Sequence, residues 1–190
     1  MNATLAPTFI TRALPRLNSR LRDLLLIVGG SLFVAGMAQV KIPLPFTPVP
    51  LTGQTFAVLL VGAALGSRRG ATSLALYLSM GILGLPFFAG GASGLATLSG
   101  PTGGYLVGFV VAAYIVGRLA ENGLERRFQS AWVVFLAGEA LIYLCGVAWL
   151  SVFLGVQRAL VAGFVPFLIG DAIKLVAAAL ALPAAWRLAK

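Results

Sequence analysis

Asp171 and Lys174 are the residues of this chain whose types and spacing most invite chemistry. They stand three apart in the apolar stretch PFLIGDAIKLV, so on a helix they share a face. A carboxylate in that position accepts hydrogen bonds from ligand N–H groups, and a lysine donates to a carbonyl or carboxylate oxygen. Leaving either in lipid costs about 2.5 to 3.5 kcal/mol on the insertion scale, which turns both toward the interior of a helical bundle. A purely structural reading competes: the two charges neutralise one another, or Lys174 pairs with Glu139 and ties helices together. A second face matches the first, because Glu139, Tyr143, Gly146 and Trp149 recur at helical spacing as a polar and aromatic stripe. Tyr143 and Trp149 are expected at the depth of the charged pair, on the order of 10 to 15 Å below the outer surface by helical rise, and Glu139 nearer the opposite side.

These side chains require a bundle in a bilayer. The 190 residues are 59% hydrophobic and 10% charged, with no histidine, which leaves too little polar surface to clothe a soluble domain. Apolar segments at about 24–40, 51–65, 71–85, 104–119, 131–154 and 164–188 predict six spans, the second and third short and joined by a polar turn, Gly66-Ser67-Arg68-Arg69-Gly70. With six spans, Arg12, Arg16, Arg20, Arg22, Arg68, Arg69, Arg118, Arg126, Arg127, Arg187 and Lys190 fall on one side and only Lys41 and Arg158 on the other. The positive-inside rule then places both termini in the cytoplasm. The expected fold class is an all-α integral membrane protein, a six-helix transmembrane bundle, with residues 1–23 a basic cytoplasmic segment and 24–190 the single membrane domain. The net charge of +9 belongs to this topology and not to nucleic-acid binding, since no aromatic-interleaved basic stripe is present. Cys145, a lone cysteine in an apolar run, reads as packing.

The outer face is made of uncharged loops. KIPLPFTPVPLTGQT carries four prolines, so it forms no regular helix and is too apolar for a freely solvated linker. GLPFFAGGASGLATLSGPTGGYLVGF is glycine-rich and free of charge, suited to closing over a small molecule; two structural re-entrant loops are the plainer alternative. A short turn is expected around 155–163. Small residues four apart, Gly104, Gly108 and Ala112 in the fourth span and Ser31 with Ala35 in the first, permit close helix approach, within the chain or, for the first span, to another protein.

Several chemistries lack their residues. Gly100-Pro101-Thr102-Gly103-Gly104 has no phosphate-loop lysine, so ATP hydrolysis by that route is excluded. Without histidine there is no serine–histidine hydrolase chemistry, and an aspartyl protease needs a second membrane-embedded aspartate, whereas Asp23 precedes the first span. The chain reads as a non-enzyme.

The segments IPLPFTPVPLTGQT, GLPFFAGGASGL, GPTGGYLVGF and PFLIGDAIK, in this order and spacing, resemble the BioY family, the biotin-specific substrate-binding S components of energy-coupling factor (ECF) transporters. The resemblance implies the six-helix S-component fold in a bacterial cell (inner) membrane, and a biotin pocket open to the outside. It also implies partnership with a transmembrane coupling protein and a pair of ABC-type ATPases that use the ATP. No cofactor is implied for the chain itself; biotin is the transported ligand. Gly170, Asp171 and Lys174 fall on the family's contacts to the polar groups of biotin. Phe88, Gly90, Gly91, Gly100, Pro101, Thr102, Gly103, Gly104 and Tyr105 correspond to its glycine loop, and Pro48, Thr52, Gln54 and Thr55 to its first external loop. Ser31 and Ala35 stand nearest to the alanine-xxx-alanine pattern through which S components dock. From a different class, a stand-alone secondary carrier in which Asp171, Lys174 and Glu139 relay protons remains the alternative.

Overall fold

A computed structural model describes residues 4–188; Lys190, counted above with the basic residues, lies outside them, as do residues 1–3 and 189. Among the described residues the regular structure is helical apart from one short ladder. Helix α1 (Leu5–Ala13) leads to α2 (Ser19–Gln39), which starts five residues before the expected span because the Asn18 side chain accepts the Arg20 amide at 3.0 Å and caps it. The proline-rich segment folds back as a two-stranded antiparallel pair, β1 (Lys41–Ile42) with β2 (Leu51–Thr52), in which Lys41 faces Thr52 and Ile42 faces Leu51.

Helices α3 (Gln54–Leu65) and α4 (Ser67–Ile82) follow. The polar turn expected over residues 66–70 shrinks to Gly66 alone, at φ +87°, and Ser67 to Gly70 open α4 instead. Glu121, reaching over from a later helix, accepts both the backbone N–H and the hydroxyl of Ser67, at 2.8 and 2.7 Å. A carboxylate at that N-terminus satisfies an orphan amide and complements the helix dipole, so the helix begins as soon as the chain has turned.

The glycine-rich loop is partly regular, with a 3₁₀ turn at Ala89–Gly91 and the one-turn helix α5 (Leu95–Ser99) ahead of α6 (Gly103–Glu121). A second 3₁₀ turn, Leu124–Arg126, leads into α7 (Phe128–Leu154). The expected turn around 155–163 is instead a helix, α8 (Val156–Gly163), set off by Gly155 at φ +79°. Pro166 then sits in a 3₁₀ turn, Val165–Phe167, so the last helix, α9 (Leu168–Leu188), starts four residues later than expected. Asp171 is consequently in its first turn, where a negative charge is favoured by the dipole.

Among the described residues, four helical stretches are long and apolar enough to cross a membrane: α2, α6, α7 and Val156–Arg187, which contains α8 and all but the last residue of α9. The chain is a multi-pass membrane protein. Helix α3 is apolar but has only 12 residues. The helices pack through small residues as the spacing in α6 predicts: a Cβ on Gly104 would lie 2.2 Å from Trp149 Cβ and 2.5 Å from the Cys145 carbonyl oxygen, so α6 and α7 touch backbone to backbone. The ends of the helices sort into two groups. The α3–α4 junction, the C-terminus of α6 and the N-terminus of α2 meet through Ser67–Glu121 and Asp23–Arg69, the latter at 2.9 Å, at one end of the bundle. The ladder, the glycine-rich loop and α8 cover the other.

Candidate ligand-binding site

A cavity of about 220 Å³ lies beneath the ladder and the glycine-rich loop, where the N-terminal turns of α3, α6 and α9 meet the middle of α7. Its walls are largely apolar, from Val49, Leu51, Leu106, Phe109, Ile142 and Phe167, with polar groups converging at a few points. This is the ordinary composition of a small-molecule pocket.

The polar groups are organised around Asp171, which is 95% buried. One carboxylate oxygen, Oδ1, accepts Lys174 Nζ at 2.7 Å and Thr55 Oγ1 at 3.2 Å; the other, Oδ2, accepts the Tyr143 hydroxyl. Lys174 in turn donates to the Thr52 carbonyl at 2.7 Å and to Thr55 Oγ1 at 3.1 Å. All three ammonium protons are therefore used within the chain. A carboxylate has about four acceptor sites, so the three donors above do not exhaust Asp171, which lines the cavity. Lys174 thus holds Asp171 in place while tying α9 to β2 and α3. Tyr143 is braced edge-on by Phe164, ring centroids 4.8 Å apart. Glu139 lies one turn along α7 from Tyr143, within hydrogen-bonding reach of Asp171, and is 94% buried with Oε1 lacking a partner. It sits beneath the cavity, closer to the charged pair than helical rise alone predicts, and does not line it.

The upper wall is held by side chains between loops. Gln54 donates to Tyr77 Oη at 2.6 Å and accepts from Thr52 Oγ1 at 3.0 Å, fixing the start of α3. Phe88, 99% buried, stacks edge-on against Tyr77 at 5.6 Å and closes one side. Tyr105 crosses to the opposite rim, donating to the Gly163 carbonyl at 2.7 Å.

Of the residues singled out from the sequence, Asp171, Lys174, Tyr143, Gln54, Phe88, Thr102 and Tyr105 line this one cavity, together with Pro48, Thr52 and Thr55. Gly90, Gly91 and Gly103 do not. Gly90, at φ +68°, is the floor on which Lys41 lies, since a Cβ there would come within 2.7 Å of Lys41 Cδ. Gly103 makes room for the Leu98 carbonyl, and Gly170 packs on Leu51. Trp149 is not a wall of the cavity: it is partly exposed, and its indole N–H donates to the Gly100 carbonyl at 3.0 Å, clamping the glycine-rich loop to α7. It stands six residues beyond Tyr143 on α7, past the end of the cavity. Ser31 and Ala35 are buried against the chain's own helices, so they present no surface to a partner; the open face of α2 carries Gly29, Leu32, Phe33 and Gly36. Lys41, assigned no role by the sequence reading, lines the mouth. Its signal was a lone cation in an otherwise uncharged outer loop.

The sequence matches the BioY family over residues 10–190. The chain belongs to the BioY family. It is 42% identical over 142 residues to the biotin transporter BioY of Thermotoga maritima, covering 73% of this chain and 82% of the relative. It is 35% identical over 169 residues to the biotin transporter BioY of Rhizobium etli, covering 84% and 90%. Both relatives are named as transporters and not as enzymes. The fold matches the 2.1 Å crystal structure of the S component for biotin from an ECF-type ABC transporter with a TM-score of 0.80, at 24% identity over 90% of this chain and 95% of that one.

Proposed function

We propose that this chain is the biotin-binding S component of an ECF transporter, capturing external biotin in the cavity above Asp171. The observation that carries the reading is a buried carboxylate, Asp171, lining an otherwise largely apolar cavity and held there by Lys174, Thr55 and Tyr143. The ureido ring of biotin offers N–H donors to such a group, and its bicyclic body and valerate chain suit the apolar walls. Lys41 at the mouth is the counter-charge for the valerate carboxylate, so the ring points inward and the acid outward. The glycine-rich loop, clamped by Trp149, and the β1–β2 ladder act as the lid.

In this reading α3 and α4 complete six passages through a bacterial cell membrane, with both termini in the cytoplasm; the gathering of Arg12, Arg68, Arg69, Arg118, Arg126 and Arg127 at the end away from the cavity supports that orientation. Energy comes from a membrane coupling protein and ABC-type ATPases, which meet the chain on the open face of α2, where small residues leave space for a second helix. The chain itself performs no catalysis and holds no cofactor. Purified protein titrated with tritiated biotin is expected to bind one molecule per chain saturably, and absence of saturable binding overturns the reading.

The buried Glu139 carboxyl beside Asp171 favours a second reading, a proton-coupled carrier. Uptake in vesicles separates the two. Loss with a protonophore at constant ATP favours the carrier, and dependence on ATP with partner proteins favours the S component.

A further inference from the structure

At the end of the bundle away from the cavity, a cleft of about 1030 Å³ opens between α1, the N-terminus of α7 and the last turns of α9. Arg12, Arg126, Arg127 and Arg187 line it. Glu125, fully buried, lies behind them, accepting the Trp186 indole N–H at 2.9 Å and standing 3.8 Å from Arg126 Nε. The Arg126 guanidinium also lies 4.4 Å over the Trp186 ring. Among the described residues at the cleft, the four arginines outnumber the one acid, Glu125, so positive charge prevails there. The first amides of α7 add to this, because its N-cap, Arg127, makes no side-chain cap.

The opposite wall is apolar. Phe128, Leu180, Pro183 and Ala184 line the cleft, and exposed hydrophobic side chains continue away from it at helical spacing, Trp132 on α7 and Val176 on α9. A soluble anion needs the arginines but not this wall; only a molecule with an anionic head and hydrocarbon tails uses both. We infer that this cleft is a specific seat for one anionic phospholipid, its phosphate held by the arginines and its acyl chain lying along the seam of α7 and α9. Guanidinium groups suit a phosphodiester because they bind two of its oxygens at once. The inference does not depend on what the cavity at the other end binds.

The test is native mass spectrometry of the full-length protein in detergent, titrated with dioleoyl phosphatidylglycerol or dioleoyl phosphatidylcholine. Wild type is expected to retain one phosphatidylglycerol and to release phosphatidylcholine. Each basic residue near a membrane surface contributes roughly fivefold, so the triple variant R126Q/R127Q/R187Q loses on the order of 100-fold in apparent affinity. A matched control, R16Q/R20Q/R68Q, removes the same charge from exposed positions outside the cleft and changes retention by less than about threefold. Equal loss in the control reduces the effect to diffuse charge and overturns the inference. Equal retention of phosphatidylcholine overturns it in favour of the apolar wall alone, and competition by about 10 mM inorganic phosphate overturns it in favour of a soluble-anion site. If circular dichroism finds the triple variant unfolded, R127Q and R187Q singly carry the test, each with an expected loss of roughly fivefold.

Discussion

Replacing Asp171 with asparagine separates the two duties of the charged pair. Asparagine keeps the shape but removes the charge and exchanges one acceptor oxygen for an NH₂ donor. Tyr143 can rotate its hydroxyl to accept from that donor, whereas Lys174, 2.7 Å away, can only donate, so the amide oxygen must stay with Lys174 and Thr55. The acceptor offered to the ligand is then neutral or lost. A hydrogen bond to a charged group contributes about 1.5 to 3 kcal/mol, which corresponds to roughly 10- to 150-fold in the Kd for biotin. Fold stability changes separately. Breaking a buried pair costs about 3 to 5 kcal/mol when the other charge is left without partners. Lys174 keeps the Thr52 carbonyl and Thr55 and is partly exposed, so about 2 kcal/mol is expected, or a fall in Tm of about 4 to 8 °C. The double variant D171N/K174M removes both charges and recovers most of that stability without recovering binding. Radiolabelled biotin binding and thermal unfolding of the wild type and these two variants measure both quantities. A Kd for D171N within about twofold of wild type, or a double variant that binds normally, refutes the reasoning.

Lys41→Met is expected to weaken biotin about tenfold while leaving the binding of biotin methyl ester unchanged, a contrast that competition binding reads directly. Trp149→Phe removes the bond to the Gly100 carbonyl without touching the cavity, so stopped-flow measurements should find faster biotin dissociation, by about two- to tenfold, with a smaller change in the ring contacts. Burial pushes the Glu125 carboxyl above its ordinary range, against the weaker opposing effects of its bonds to backbone and Trp186 and of Arg126. Because the folded state then holds that proton more tightly than the unfolded chain, its stabilising contribution is complete below about pH 4 and declines as pH rises through the elevated value. Thermal unfolding of Glu125→Gln should therefore lose part of the decline in Tm that wild type undergoes between about pH 4 and pH 7, and identical pH profiles count against the assignment.

Much of this arrangement was legible from residue types. The helical spacing of Asp171 with Lys174 and of Glu139 with Tyr143 predicted two facing polar stripes, and the structure brings all four together. The small residues Gly104 and Gly108 predicted the close crossing of α6 on α7. What escaped the sequence depends on contacts between distant segments. Glu121 caps α4 from another helix, so the polar turn at 66–70 is nearly all helix. Helical spacing gives the angle of a side chain on α7 but not where the cavity ends along it, and Trp149 lies beyond that point. The first-span pair Ser31 and Ala35 faces inward because α2 packs against α4 on that side, where a Cβ on Gly30 would meet Ser73. Lys41 has no periodicity to read; only the β1–β2 pairing carries it over Gly90 to the mouth.

The orientation of the bound ligand bears most directly on the central claim. A structure of the protein determined with biotin is predicted to have a ureido N–H about 3 Å from an Asp171 carboxylate oxygen and the valerate carboxylate beside Lys41. Biotin bound with its carboxylate against Lys174, or density outside the cavity with Asp171 still closed on its three donors, contradicts it.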